Sequence, residues 1–132
     1  MRFLLDTHIA YWLVAERENL SVSEYHLLVD PINELSISTV SVWELRIKWN
    51  TFYRSGDRKG PIDPLKVIAS IHKLGLSIEP LIAEHAAASL HMPIPHCDPF
   101  DDLLLTIAQE TGRKLFTRDR KLRDHPLAFL AE

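Results

Sequence analysis

"TVSVWELRIKW", residues 39–49, satisfies the pattern of a strand and of a helix, and the layers of the fold depend on which it forms. Trp43, Leu45, Ile47 and Trp49 alternate with Glu44, Arg46 and Lys48, the two-residue period of a half-buried strand. The same residues also satisfy a helix. Glu, Leu, Arg and Lys are good helix formers, Ser38 or Thr39 can cap the N-terminus, and Val40, Trp43 and Ile47 share one helical face. Propensity and capping favour the helix. It directly follows "ELSIS" (34–38), a short apolar strand.

The flanking chain repeats this pattern. "RFLLD" (2–6) is a buried strand ending in an acid, and "THIAYWLVAE" (7–16) is a helix capped by Asp6 or Thr7. "SVSEYHLLVDP" (21–31) is a helix stopped at Pro31. Residues 53–64, "YRSGDRKGPIDP", hold two Gly and two Pro and read as a joining loop. "DPLKVIASIHKLG" (63–75) is a helix with Pro64 in its first turn and Gly75 as C-cap. "LSIEP" (76–80) is a strand and "LIAEHAAASLHM" (81–92) a helix. "DPFDDLLLTIAQETG" (98–112) is a helix ending at Gly112. "KLFT" (114–117) is a strand, "RDRKLRDH" (118–125) a short helix or turn, and "LAFL" (127–130) the last strand. Short apolar strands alternating with helices predict an α/β fold with a central parallel sheet covered on both faces. In such sheets ligands bind beyond the carboxyl ends of the strands.

The chain has 132 residues, 46% of them hydrophobic, which predicts one domain (1–132) with a real core. No apolar run approaches the roughly 20 residues of a membrane span. Asp6 and His8 interrupt the apolar N-terminus, and no clear small-residue cleavage site follows, so a cytoplasmic protein is expected. The single Cys97 excludes an internal disulfide framework and a cysteine zinc site. It is either a nucleophile or a small hydrophobe. A net charge of −3 gives no general pull toward nucleic acid. Two local clusters, Arg113/Lys114/Arg118/Arg120/Lys121/Arg123 and Arg54/Arg58/Lys59, are polyanion sites or solvated surface.

The acids carry the chemistry. Asp6 follows the first strand and Asp119 a late one, where an α/β site forms, and both can also cap the next helix. Asp98 fits N-cap geometry before Pro99. Asp101 lies in the first turn of that helix, where it can complete a capping box or favour the helix terminus. Asp102 points away and reads as exposed. Glu44 has no capping role. It flanks an apolar stripe, with Lys48 as an i+4 ion-pair partner. Four converging carboxylates suit a hard divalent cation such as Mg²⁺, which takes oxygen ligands and lowers the pKa of a bound water. Left unpaired, they would repel one another.

In order along the chain, "FLLDTHIAYWL" (3–13), "ISTVSVWELRIK" (37–48), "HCDPFDDLLLTIAQ" (96–109) and "KLFTRDRKL" (114–122) resemble PIN-domain ribonucleases, most closely the VapC-type toxins of prokaryotic toxin–antitoxin pairs. The resemblance implies a three-layer α/β/α sandwich around a parallel sheet and a Mg²⁺- or Mn²⁺-dependent endoribonuclease acting on RNA. Asp6, Glu44, Asp101 and Asp119 match the family's four acids, as catalytic residues and metal ligands. Asp98, in a "DPFD" variant, is a cap or an outer contact of the metal site, and Thr117 matches a hydroxyl beside it. Arg118 and Arg120 would lie near the substrate phosphates, with Lys48 a further RNA contact. Asp102 stands where the family commonly has Arg. That leaves open which of Asp101 and Asp102 faces inward; helical phase with Leu104, Leu105 and Ala108 favours Asp101, and Asp102 follows Thr106 and Gln109 outward. The resemblance also implies a homodimer and an antitoxin that buries the site, in a groove containing Trp12, Trp43 or Trp49; otherwise these tryptophans are core.

Two rival readings remain at the level of sequence. A response-regulator-like phosphoacceptor domain has similar length and alternation, but wants paired acids after the first strand, where this chain has only Asp6. The other rival is a non-catalytic α/β binding module in which every acid is a cap.

Overall fold

In the computed structural model, which describes residues 1–96 and 98–131, five strands and six helices follow one another. They are β1 (Arg2–Leu5), α1 (Thr7–Ala15), α2 (Val22–Val29), β2 (Glu34–Ser38), α3 (Thr39–Trp49), α4 (Pro64–Lys73), β3 (Ser77–Glu79), α5 (Ala83–Ala87), α6 (Pro99–Thr111), β4 (Lys114–Phe116) and β5 (Ala128–Phe129). Cys97, a candidate nucleophile or small hydrophobe by sequence, lies outside the described residues. The strands form one sheet in the order β3-β2-β1-β4-β5, and every pairing is parallel. A receiver-type sheet runs 2-1-3-4-5 instead, so the phosphoacceptor reading loses its scaffold. The order reverses beside β1, and the crevice at that switch point, past the ends of β1 and β4, is where such sheets bind ligands.

Side-chain alternation explains the two cores. Phe3 and Leu5 of β1 point to one face, where Ile9, Ala10 and Leu13 of α1 and Val67 and Ile71 of α4 cover them. Leu4 points to the other face, against Leu104, Leu105, Ile107 and Ala108 of α6. In β4, Phe116 and Leu115 divide the same way. A strand buried on both faces has to be apolar throughout, and "FLL" is. The layers are therefore helices, sheet, helices.

Residues 39–49 are helical, with Ser38 Oγ accepting from Val40 N–H at 3.0 Å. The buried face differs from the expected Val40/Trp43/Ile47 row. It is Val40, Ser41 and Leu45, whereas Trp43 and Ile47 are 49% and 38% exposed. The inner face was harder to read because it includes polar Ser41 beside half-buried Glu44 and Lys48, the side that meets the site. Thr106, expected outward with Asp102, is buried; its hydroxyl donates to Asp102 C=O at 2.8 Å and so tolerates burial.

The helix expected over 81–92 shrinks to Ala83–Ala87. Ile82 supplies no side-chain cap. Beyond the helix, Gln109 of α6 accepts from His91 N–H at 2.8 Å and donates to Ser89 C=O at 3.0 Å. Gln109 thus satisfies the His91 N–H, which a longer α5 would have paired with Ala87 C=O, and the Ser89 C=O, for which Pro93 at i+4 has no N–H to offer.

Candidate metal-binding active site

Asp6 ends β1 and caps α1. Its Oδ1 accepts from Thr7 N–H at 2.7 Å and its Oδ2 from the Thr117 hydroxyl at 2.6 Å. Its own N–H donates to Phe116 C=O at 2.9 Å, so Asp6 is fixed between the ends of β1 and β4. Thr117 is fully buried and serves two acids, because its oxygen also accepts from Asp119 N–H at 3.1 Å. Asp119 in turn caps the short 3-10 turn Arg120–Leu122, accepting from Lys121 N–H at 3.0 Å.

Glu44 reaches the same place from α3. Its Oε1 accepts from the Thr7 hydroxyl at 2.7 Å, and Lys48 Nζ lies 3.1 Å from Oε2. Thr7 has one hydroxyl proton, which goes to the carboxylate; Ser41 then donates to Thr7 Oγ1 at 3.0 Å.

From the opposite side, Asp98 caps α6 through bonds from Phe100 and Asp101 N–H at 2.9 and 3.3 Å. Asp101, one turn in, is only 8% exposed. Its Oδ2 lies 2.8 Å from His96 Nε2. Asp102 is exposed, so of the pair it is Asp101 that turns inward.

Asp6, Glu44, Asp98, Asp101 and Asp119 line one cleft of about 400 Å³, together with His8, Ile9, Trp12, Lys48 and Arg118. Its electrostatics are those of crowded acids. Burial pushes Asp101 up to about 6, the negative charges of Asp98, Asp6 and Asp119 push the same way, and His96 opposes them. Burial also raises Asp6, with Glu44 adding to the effect against the hydrogen bonds from Thr117 and Thr7. One ligand atom from each of His96, Asp101 and Asp119 lies within 4.8 Å of the other two. Asp101 and Asp119 at that spacing, with Asp6 and Glu44 lining the same cleft and His96 bonded to Asp101, are an oxygen-rich donor set that fits a hard divalent cation.

A family model described as the PIN domain matches residues 3–126. The chain belongs to the PIN-domain family. It is 33% identical over 122 residues to "Ribonuclease VapC22" of Mycobacterium tuberculosis (strain ATCC 25618 / H37Rv), a match spanning 92% of this chain and 90% of that protein. Two solved structures share the fold at low identity. VapBC2 from Rickettsia felis, bound to a DNA fragment from its promoter, has a TM-score of 0.60 at 16% identity, covering 98% of this chain and 97% of that one. VapBC-5 from Mycobacterium tuberculosis has a TM-score of 0.56 at 13% identity, covering 99% and 98%.

In this PIN domain the three cations expected near RNA are placed differently. Lys48 and Arg118 line the cleft, but each faces an acid. Arg118 is held by buried Glu24, by a 2.6 Å bond to Asn19 C=O and by the Trp12 ring 4.4 Å beneath it. Burial raises the Glu24 pKa, and the Arg118 guanidinium and the Ser21 cap more than reverse that. Arg120 is exposed and lies outside the cleft lining. The tryptophans also separate. Trp12 lines the cleft, whereas Trp43 and Trp49 line an apolar groove between α3 and α4 with Leu65, Ile68 and Ile78. None of the three is fully buried, although Trp12 packs against the core from the cleft side.

Sequence reasoning missed His96, Thr7, Ser41 and Glu24. His96 stood five residues before Asp101, a spacing that only a loop folding back on the helix start brings within bonding distance. Thr7 follows Asp6 directly and read as a cap. Glu24, three residues after Ser21, carried a capping-box signal, and that box is present; Arg118 is the added partner.

Proposed function

We propose that this PIN domain is a metal-dependent endoribonuclease that hydrolyses RNA phosphodiester bonds as the toxin of a toxin–antitoxin pair. The observation that carries the reading is the convergence of Asp6, Glu44, Asp101 and Asp119 in one cleft at the sheet's switch point. The ribonuclease name of its 33% identical relative supports the substrate class.

Asp6, Asp101, Asp119 and Glu44 would hold Mg²⁺ or Mn²⁺, with Asp98 as an outer contact. The bound ion would supply a water of lowered pKa and charge neutralisation at the phosphoryl oxygens. The chain's own residues do the rest. Thr117 holds Asp6 and the Asp119 backbone in one orientation. His96 fixes the Asp101 carboxylate. Glu44, oriented by the Thr7 hydroxyl and paired with Lys48, positions the attacking water.

Pairing with an antitoxin follows the naming of the VapBC structures. The α3–α4 groove, with Trp43 and Trp49, suits an apolar antitoxin helix, and a basic antitoxin residue would suit the acidic cleft. The active species would be a cytoplasmic homodimer; among the described residues no helix is long and apolar enough to cross a membrane.

The test is RNA cleavage by wild type and Asp101→Asn, with and without Mg²⁺, with the cut sites mapped. Cleavage that needs both Asp101 and the metal supports the reading. Cleavage indifferent to both rules out this cleft as the active site.

A further inference from the structure

An acidic cleft must hold a polyanion, and its own cations are committed: Lys48 pairs with Glu44, and Arg118 with Glu24. Binding energy for RNA has to come from elsewhere on the surface. The segment after α3 carries exposed cations and rings. The sequence reading made this segment a joining loop, but the structure builds a tight hairpin. Phe52 and Arg58 form an antiparallel bridge, Tyr53 N–H donates to Asp57 C=O at 2.8 Å, Lys59 N–H donates to Thr51 C=O at 2.8 Å, and Gly56 turns the tip at φ 92°. Gly60 closes it against the end of α3. A Cβ there would meet Trp49 N at 2.5 Å and the Lys48 carbonyl carbon at 2.8 Å. Gly60 thus packs on the backbone of Lys48, whose side chain lines the cleft, and of Trp49, which lines the α3–α4 groove.

The hairpin's surface alternates cations with aromatic rings. Phe52 and Tyr53 are 51% and 56% exposed. The Arg58 guanidinium sits over both Trp49, at 4.3 Å, and Phe52, at 4.8 Å, and donates to Trp49 C=O at 2.6 Å. Lys59 Nζ lies 5.3 Å from the Tyr53 ring centre. Among the described residues, Arg54, Arg58 and Lys59 form no ion pair with a carboxylate. The only acid of the hairpin, Asp57, bonds Ser55. Unpaired cations beside exposed rings, held on a rigid backbone, are what a single-stranded nucleic acid uses: phosphates meet the cations and unstacked bases meet the rings. An acidic peptide would match the charges and leave the rings unused.

We propose that the hairpin of residues 51–60 is a binding arm for single-stranded RNA leading out of the cleft, with Arg54, Arg58 and Lys59 on phosphates and Tyr53 and Phe52 under bases. This rests on the ribonuclease reading for the class of polymer. The arm touches RNA remote from the reacting bond, so it acts on ground state and transition state alike and lowers KM with little effect on kcat.

The experiment compares wild type with Arg54→Gln/Lys59→Gln and with Tyr53→Ala. All three side chains are exposed, so folding is expected to be unaffected. Binding of a labelled single-stranded RNA of about twelve nucleotides is followed by fluorescence anisotropy in EDTA across a salt series, and cleavage of the same RNA in Mg²⁺. The double variant is expected to bind about tenfold more weakly, with a log–log salt slope shallower by about 1.4 for two lost contacts. KM should rise about tenfold while kcat stays within about twofold. Tyr53→Ala should weaken binding and leave the salt slope unchanged. Wild-type affinity and slope in the double variant, with the wild type cleaving normally, overturn the assignment and leave the nuclease reading intact. If the wild type cleaves no RNA, the nuclease reading falls, and the EDTA binding data still decide the arm. Unchanged RNA binding together with loss of a co-expressed antitoxin would make the hairpin a protein interface and overturn the proposal.

Discussion

The Thr117 hydroxyl donates to Asp6 Oδ2 at 2.6 Å, joining the residue after β4 to the residue after β1. The same oxygen accepts from the backbone of Asp119. One buried hydroxyl therefore sets two of the four acids. Thr117→Val keeps the shape and removes both bonds. It should destabilise the protein by about 1–3 kcal/mol, the cost of buried groups left unpaired, and lower cleavage about tenfold to a hundredfold. Thr117→Ser should recover most of both. Urea denaturation and initial cleavage rates measure the two effects.

Asp101 sets function against stability. Its pKa rises on folding, from an ordinary 3.8 to about 6. A carboxyl raised in the native state contributes stability below its unfolded pKa and loses it as pH rises through the folded value. The metal-free protein should therefore lose stability between about pH 4 and pH 6 on this account. Asp101→Asn should flatten that part of the curve and stabilise the metal-free protein at pH 7 by up to about 3 kcal/mol, while abolishing cleavage. Thermal melts in EDTA across this pH range are the check.

Protons would compete with a metal held by these carboxylates for the same oxygens. Mn²⁺ affinity should fall as pH drops from 7 to 5, because Asp101 and Asp6 are both raised and take up protons early. Calorimetric titration at several pH values should show proton release on binding. Affinity that does not vary over this range would place the metal elsewhere.

The Arg118–Glu24 pair is structural by its contacts. Glu24 is 3% exposed and lies at the start of α2. Arg118→Ala leaves that charge buried without its partner and should cost about 2 kcal/mol, less than a fully buried pair because Arg118 is partly in water. Glu24 is lowered on folding, so its contribution is present above its unfolded pKa and lost as pH falls through the folded one. Acid denaturation of wild type and Arg118→Ala should therefore converge at low pH.

Gly60 has no room for a side chain against Trp49. Gly60→Ala should cost about 1–3 kcal/mol through overpacking and shift the hairpin off α3, with a rise in KM for RNA. Stability curves and steady-state kinetics separate the two.

Much of this site was legible in the sequence because acids at strand ends and helix starts have few positions to occupy. Asp6 after "FLL", Asp101 by helical phase and Asp119 after "KLFTR" all line the cleft. The sheet was legible because its central strands β1 and β4 are apolar on both faces. What escaped depends on contacts remote in sequence. His96 and Asp101 meet through a loop, Arg118 meets Glu24 across 94 positions, and α5 is shortened by Gln109 from another helix. The phase of α3 escaped because its inward face is partly polar, and hydrophobic periodicity then points to the wrong side. The hairpin read as a loop because a single bridge and a turn glycine leave no periodicity.

If the carboxylates of this cleft bind a divalent cation and use it to cut RNA, removing one of them removes metal-dependent cleavage. The most direct measurement is cleavage of a defined RNA by wild type and Asp101→Asn, titrated with Mg²⁺. Wild type is expected to show saturable, metal-dependent cleavage and Asp101→Asn a loss of at least about a thousandfold, although RNA binding in EDTA is retained. Equal cleavage by the two proteins, or full activity in EDTA, would contradict it.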